Sequence, residues 1–304
     1  MRISRKAVTT ATFSVLAFTG VQVWAFEQGA PGAPAPAFDQ PVPESSQSVF
    51  HSFVPPPVAK LDSAAATPEA DLKAYRDGSK AYEQGDFATA QKNWEALAER
   101  GDVFAQWRLG NMYRNGLGAP VNHAKAFKYY KMVAAQHEDV GRYTAKTRVT
   151  VDAIVQLANY YEAGLKDAGV ARNVAYAQKL YHGTATHFRH PGAQYQLGKL
   201  YLSGEGVTKS IPRGLRWLNL AAQKGYAPAQ AALGDVYWDG QGVRSDRSQG
   251  LMWYMLAQEN ADPAREQPII ERFHELLAAA EEKDRQRAQS LVGVWNERYP
   301  DKGR

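Results

Sequence analysis

The sequence predicts an all-α protein whose paired helices stack into a solenoid. Three observations carry that expectation. A short phrase recurs four times: Leu109-Gly110 with Tyr113 and Gly116, Leu157-Ala158 with Tyr161 and Gly164, Leu197-Gly198 with Tyr201 and Gly204, and Leu233-Gly234 with Tyr237 and Gly240. The leucines lie 48, 40 and 36 residues apart, about the length of two helices and their turns. Behind each phrase comes an aromatic second helical stretch, and a charged helical tail follows the last one. Such repeats make an extended surface for holding another molecule, and rarely a reaction chamber.

Residues 1–25 read as an export signal. Arg2, Arg5 and Lys6 give a positive start, residues 7–21 are apolar to small, and Val23-Trp24-Ala25 offers a cleavage site. The run is short and rich in Thr and Ser for a membrane anchor; cleavage after Ala25 leaves no transmembrane segment in the mature chain, and an uncleaved anchor is the alternative reading. The formal charge of +5 partly belongs to this signal; without its three basic residues, 33 Lys and Arg face 31 Asp and Glu. That near-balance gives nucleic acid no basic face to bind. The chain has no cysteine, which excludes thiol chemistry and cysteine-held metals.

Residues 26–68 hold nine of the sixteen prolines, with Ala, Ser and Gln between them. A segment of this composition buries too little to offset its ordering entropy and is expected to be a disordered arm. Phe50, Phe53 and Val54 interrupt it, either as scattered linker residues or as a short docking or protease-accessible segment.

The solenoid is expected over residues 69–262. Its first unit, residues 71–101, pairs two helices around Ala81-Tyr82, a Gly85-Asp86-Phe87 turn, and Ala90, Trp94, Leu97 and Ala98. In the four later units an Ala precedes the Leu by four residues (Ala105, Ala153, Ala193, Ala229), and these residues share one helical stripe. The residue after the Leu is small each time. Gly inside a helix costs roughly 1 kcal/mol relative to Ala, so its recurrence points to a helix passing too close for a Cβ. Gly-x-Gly then ends the first helix through left-handed dihedrals. The second helices carry Tyr129-Tyr130, Leu180-Tyr181, Trp217-Leu218 and Trp253-Tyr254.

This pattern, Ala-x-x-x-Leu-Gly-x-x-Tyr-x-x-Gly-x-Gly with an aromatic second helix, resembles the Sel1-like repeat, and residues 71–101 resemble a tetratricopeptide repeat. The resemblance covers residues 71–263 and implies a right-handed α-solenoid of such pairs. Residues 263–304 add helices over about 269–280 and 283–298, flanked by charge, as a C-terminal cap covering the last apolar face.

Chemistry is sparse. The Gly-x-Gly turns follow helices and lack the third Gly of a dinucleotide fingerprint. His274-Glu275 imitates a zinc-protease helix, but Ala278 stands where the second His belongs. There is no Gly-x-Ser-x-Gly elbow. His182, His187 and His190 crowd beside Arg189; a zinc site lacks further ligands in sequence, whereas a pH-sensitive patch or ordinary surface histidines fit. Neither a catalytic centre, a metal nor a cofactor is expected.

A partner is expected on the polar face of the first helices: Arg108, Asn111 and Arg114, then Gln156, Asn159 and Glu162, then Gln196 and Lys199, then Asp235 and Trp238. Trp107 and Trp238, if exposed, favour an interface there over a merely solvated face. Residues 136–152 read as a lengthened link and residues 166–168 as an enlarged turn, irregularities that in solenoids often sit on the binding side.

The order of signal, tetratricopeptide-like unit, stretched link, Sel1 units and charged tail is similar to the periplasmic regulators of exopolysaccharide production in rhizobia and their relatives. Gly110-Asn111-Met112-Tyr113, Gln194-Tyr195-Gln196-Leu197, Leu202-Ser203-Gly204-Glu205-Gly206 and Gly250-Leu251-Met252-Trp253-Tyr254-Met255 carry the similarity, which spans residues 72–297 and departs at the Pro-rich arm. It implies a non-catalytic periplasmic negative regulator that binds the sensing domain of a membrane histidine kinase and keeps it inactive. An envelope scaffold would use the same face. A peptidoglycan-associated hydrolase lacks a nucleophile constellation here.

Overall fold

The computed structural model describes residues 67–137 and 144–299. The expected export signal and the arm up to residue 66 lie outside these residues. Among the described residues twelve α-helices follow in order: α1 (Pro68–Glu83), α2 (Phe87–Glu99), α3 (Val103–Asn115), α4 (His123–Ala134), α5 (Ala145–Ala163), α6 (Val174–His187), α7 (Pro191–Ser203), α8 (Ile211–Ala222), α9 (Ala227–Asp239), α10 (Arg247–Asn260), α11 (Gln267–Ala279) and α12 (Glu282–Arg298). Among the described residues there is no β-strand beyond one Leu165–Val170 bridge. The all-α solenoid read from the repeats is the architecture, the helices up to α11 packing chiefly on their neighbours in sequence.

Side-chain caps set most of the helix starts. Thr67 accepts from the Ala70 amide, so α1 begins at Pro68, within what composition assigns to the arm. Asp86, Asp102, Asn122, Asn173 and Asp246 accept in the same way at α2, α3, α4, α6 and α10. The first helices end on Gly116, Gly204 and Gly240, whose amides donate to Met112, Leu200 and Val236. All three are left-handed, at φ 70°, 83° and 72°.

The second glycine of each turn has a further duty. A Cβ on Gly118, Gly206 or Gly242 would come within 2.9, 2.6 and 2.8 Å of Phe87, Val174 and Ile211. These are the first residues of α2, α6 and α8, so each turn is pressed onto the second helix of the preceding repeat. A backbone bond closes the turn every time: the amides of Asn122, Asn173, Ser210 and Asp246 donate to the carbonyls of the repeated Tyr113, Tyr161, Tyr201 and Tyr237, at 2.8, 2.6, 2.8 and 2.8 Å.

Within a pair, the small residue after the Leu admits the second helix. A Cβ on Gly110 would lie 2.9 Å from the Tyr130 ring, and one on Gly234 would lie 2.4 Å from Tyr254. Gly78 does the same for Trp94 in the first unit, a position the sequence reading overlooked. Ala105, Ala153, Ala193 and Ala229 and their four leucines are buried, as the stripe requires.

Two features differ from expectation. The later part of the lengthened link before the third pair, from Ala145 on, is helix: α5 has 19 residues against 13 in α3, α7 and α9. Its added start is held by a Thr144–Thr147 capping box and buries Thr147, Thr150 and Val151. The enlarged turn is as placed, a 3-10 turn at Lys166–Ala168.

The second difference is Gln106, Gln194 and Gln230, each next to the repeated Ala and buried. Their side-chain amides donate to the carbonyls of Ala98, Ala185 and Ala222, at the C-terminal ends of the preceding α2, α6 and α8. Their own oxygens accept from Gln136, Lys224 and Asn260. A buried amide with both ends paired joins successive units at little cost.

At the C-terminal end α11 and α12 pack on α10. Trp295 stands edge-on to Trp253 at 4.7 Å, and Ser248, itself buried, donates to Asp284 at 2.8 Å.

Candidate functional site

The polar faces of α3, α5 and α7 are joined by side-chain hydrogen bonds. Trp107 Nε1 donates to Asp152 at 2.6 Å, and Gln156 donates to the same carboxylate at 3.3 Å. Arg114 and Asn159 donate to the Gln156 oxygen. Gln196 donates to Asn159 at 3.1 Å, and Lys199 to Gln196 at 3.2 Å. Five of the ten residues expected to face a partner (Arg114, Gln156, Asn159, Gln196, Lys199) thus form one ladder across three repeats.

A second set of bonds ties this face to the helices behind it. Tyr130 donates to Asn111 at 2.9 Å, Tyr181 to Asn159 at 2.6 Å and Glu162 at 2.7 Å, and Tyr254 to Asp235 at 2.8 Å. Burial pushes all three phenols well above the usual tyrosine range. The Asp235 carboxyl is also raised by burial, although the bond from Tyr254 and the Arg272 guanidinium 3.9 Å away act against the rise.

The indoles correct the sequence reading. Trp107 is half-buried and bonded to the next repeat through Asp152, and Trp238 is half-buried under Arg247, 5.4 Å from its ring centre. Neither offers the free aromatic surface that favoured an interface.

Between α5 and α7 the face sinks into a depression of about 310 Å³, lined by Asn159, Glu162, Ala163, Arg172, Gln196 and Glu205. Arg172 and Glu205 form an ion pair at its edge. The lining mixes polar and apolar surface and offers hydrogen bonds of both senses, which suits side chains of a protein partner.

The three histidines have separate partners. His182 stands edge-on to Trp217 at 6.3 Å, and His187 lies beside Phe188 at 6.4 Å. His190 caps α7, its Nδ1 accepting from the Ala193 amide at 3.3 Å. The surrounding protein desolvates His182 and His190 and lowers both. The Lys224 ammonium lowers His190 further, while the Asp152 carboxylate opposes this. Lys224 is itself brought down to about 8, by desolvation and then by Arg189. Among the described residues no group of three His, Asp or Glu is placed to hold a metal ion, and no helix is long and apolar enough to cross a membrane.

Comparison with known proteins matches the Sel1 repeat to residues 103–137, 151–182, 191–226 and 227–257. These are the pairs α3–α4, α5–α6, α7–α8 and α9–α10, so the first pair and the last lie outside the matched repeats. Over 155 residues the chain is 35% identical to the exopolysaccharide production negative regulator of Rhizobium meliloti (strain 1021), and equally so to the protein of that name from Rhizobium leguminosarum bv. viciae. Each match covers 51% of this chain and 57% of the relative; the chain spans little more than half the length of these relatives. A crystal structure of a Sel1 repeat protein from Oxalobacter formigenes superposes with a TM-score of 0.53 at 26% identity, covering 76% of this chain and 91% of that one.

Proposed function

We propose that this protein, which carries four Sel1 repeats, is a non-catalytic negative regulator of exopolysaccharide production that acts in the periplasm. In this reading it binds the sensing domain of a membrane histidine kinase and holds the kinase inactive. The observation that carries the reading is the 35% identity to two proteins named as negative regulators of exopolysaccharide production, over a stretch of 155 residues. The ladder from Arg114 to Lys199 supplies a physical means: hydrogen-bonding side chains already held in place lose little freedom when a partner docks.

Inhibition follows from differential affinity. An inhibitor that binds one kinase conformation more tightly shifts the population towards it, and removal of the inhibitor releases the signal. The export signal read from residues 1–25 supports action outside the cytoplasm.

The test is a titration of the full chain with the purified sensing domain, together with deletion of the gene. Binding at neutral pH and overproduction of polysaccharide in the deletion strain are expected. Absence of binding sinks the kinase assignment. A deletion strain with normal polysaccharide and misassembled envelope complexes would point instead to a scaffold.

A further inference from the structure

The geometry points to Arg108 as the residue that captures a carboxylate, an Asp or Glu side chain, of the protein that docks on this ribbon. The inference rests on the ribbon being the docking face, and names the chemistry that the partner brings to it. Arg108 lies where α3 meets the first helix pair. Its guanidinium carbon is 5.6 Å from the ring centres of Tyr82 and Trp94, and 5.5 Å from that of Trp107. Its Nε is buried and has no hydrogen-bond acceptor, and among the described residues Arg108 makes no ion pair.

Several other arginines have a polar partner. Arg100 is paired with Asp71, Arg172 with Glu205, and Arg272 with Glu275 at 3.0 Å, while Arg114 is bonded to Gln156. Ring faces attract a guanidinium electrostatically but accept none of its outward N–H bonds in the plane where they point. Arg108 is therefore a cation already partly stripped of water, held in position by three rings, with donors left over. Two parallel N–H groups match the two oxygens of a carboxylate, and a pre-positioned fork loses little freedom on binding one. A single free guanidinium favours a singly charged carboxylate. Phosphorylated segments are taken by clusters of arginines, and the nearest ribbon arginine, Arg114, is engaged by Gln156.

Two measurements test this. In the first, the full chain labelled with ¹⁵N at arginine is titrated with hexaglutamate and, separately, with hexaglutamine, and the Nε–H resonances are followed. The Arg108 signal is identified by its loss in Arg108→Lys. It is expected to shift saturably with hexaglutamate alone, while the signals of Arg114 and Arg172 stay. No shift, or one shared by all arginines, overturns the assignment. A resonance that moves instead when Glu27→Gln, Asp39→Asn, Glu44→Gln and Asp62→Asn are introduced identifies this chain's own N-terminal segment as the occupant, and overturns the assignment to a partner.

In the second, the kinase sensing domain is titrated into wild type, Arg108→Gln and Arg108→Lys, each checked for unchanged helical circular dichroism. Arg108→Gln is expected to weaken binding tenfold or more, and Arg108→Lys several-fold because the paired donors are lost. Equal affinity overturns the inference. No binding by wild type overturns the kinase reading instead, and the peptide titration then decides on Arg108 alone.

Discussion

The Tyr130 hydroxyl donates to Asn111 Oδ1 across 2.9 Å, so a residue on the outer face of one helix is held by the helix packed behind it. Tyr181 with Asn159 and Tyr254 with Asp235 repeat the arrangement. The pair α7–α8 has Lys199 and Leu218 at the two places and makes no such bond. Tyr254→Phe removes the donor and leaves the Asp235 carboxylate facing its loss. Because the Asp235 side chain is 41% exposed, water takes over part of the role. The expected cost is about 1 kcal/mol, read from denaturant midpoints at unchanged slope. Leu218→Phe, where no bond exists, serves as the control for ring packing.

Gly234 and Gly293 make opposite predictions for the same substitution. A Cβ on Gly234 would meet the Tyr254 ring at 2.4 Å and the Gly250 carbonyl at 3.2 Å, while one on Gly293 meets nothing within 4 Å. Gly234→Ala is expected to destabilise by about 1–3 kcal/mol, since α9 and α10 must separate. Gly293→Ala, in an exposed stretch of α12, is expected to stabilise by about 0.5–1 kcal/mol through helix propensity. Thermal unfolding of the two variants beside wild type checks both; Gly234→Ala melting with wild type would contradict the close approach.

Gln230 joins α9 to the end of α8 by donating to the Ala222 carbonyl, and it accepts from Asn260. Gln230→Met keeps the volume and removes both bonds, leaving a buried carbonyl without this donor. A loss of about 1–3 kcal/mol is expected. Gln194→Met should cost less: its bond to Ala185 is longer, 3.4 Å against 3.1 Å. Urea unfolding ranks the two, and a reversed order would show that the carbonyl contacts are not what makes these residues matter.

These residues also mark what the sequence could tell. The Ala–Leu–small stripe and the Gly-x-Gly turns were legible because burial and left-handed dihedrals each select few residue types. Gln106, Gln194 and Gln230 escaped because a polar residue inside an apolar stripe reads as noise, although its recurrence beside three of the four repeated alanines was a usable signal. The start of α5 read as a link because it falls outside the repeat phase; Thr147 and Thr150 are poor helix formers, and the Thr144 capping box and burial against other helices make them helical. On the ribbon, periodicity assigned a face to each side chain. It could not show that Asp152 of the next repeat reaches Trp107, since that depends on how two repeats are set against each other.

His190 gives the fold a pH dependence whose direction follows from its lowered pKa. As the α7 cap it must be unprotonated at Nδ1 to accept from Ala193, and Lys224 nearby adds to the penalty for charging it, against the pull of Asp152. The unfolded chain titrates near 6.5, so below that pH it binds a proton that the folded chain resists. Stability is therefore full above 6.5 and declines as pH falls through the window down to the folded pKa. His182, lowered by desolvation, adds to the decline with the same sign. His190→Asn keeps a capping acceptor and removes the titration. The melting temperature of wild type is expected to fall between pH 7.5 and 5, that of His190→Asn to fall less, and that of His190→Asn combined with His182→Gln to fall least. Parallel curves for all three would show that the acid sensitivity of the chain arises elsewhere.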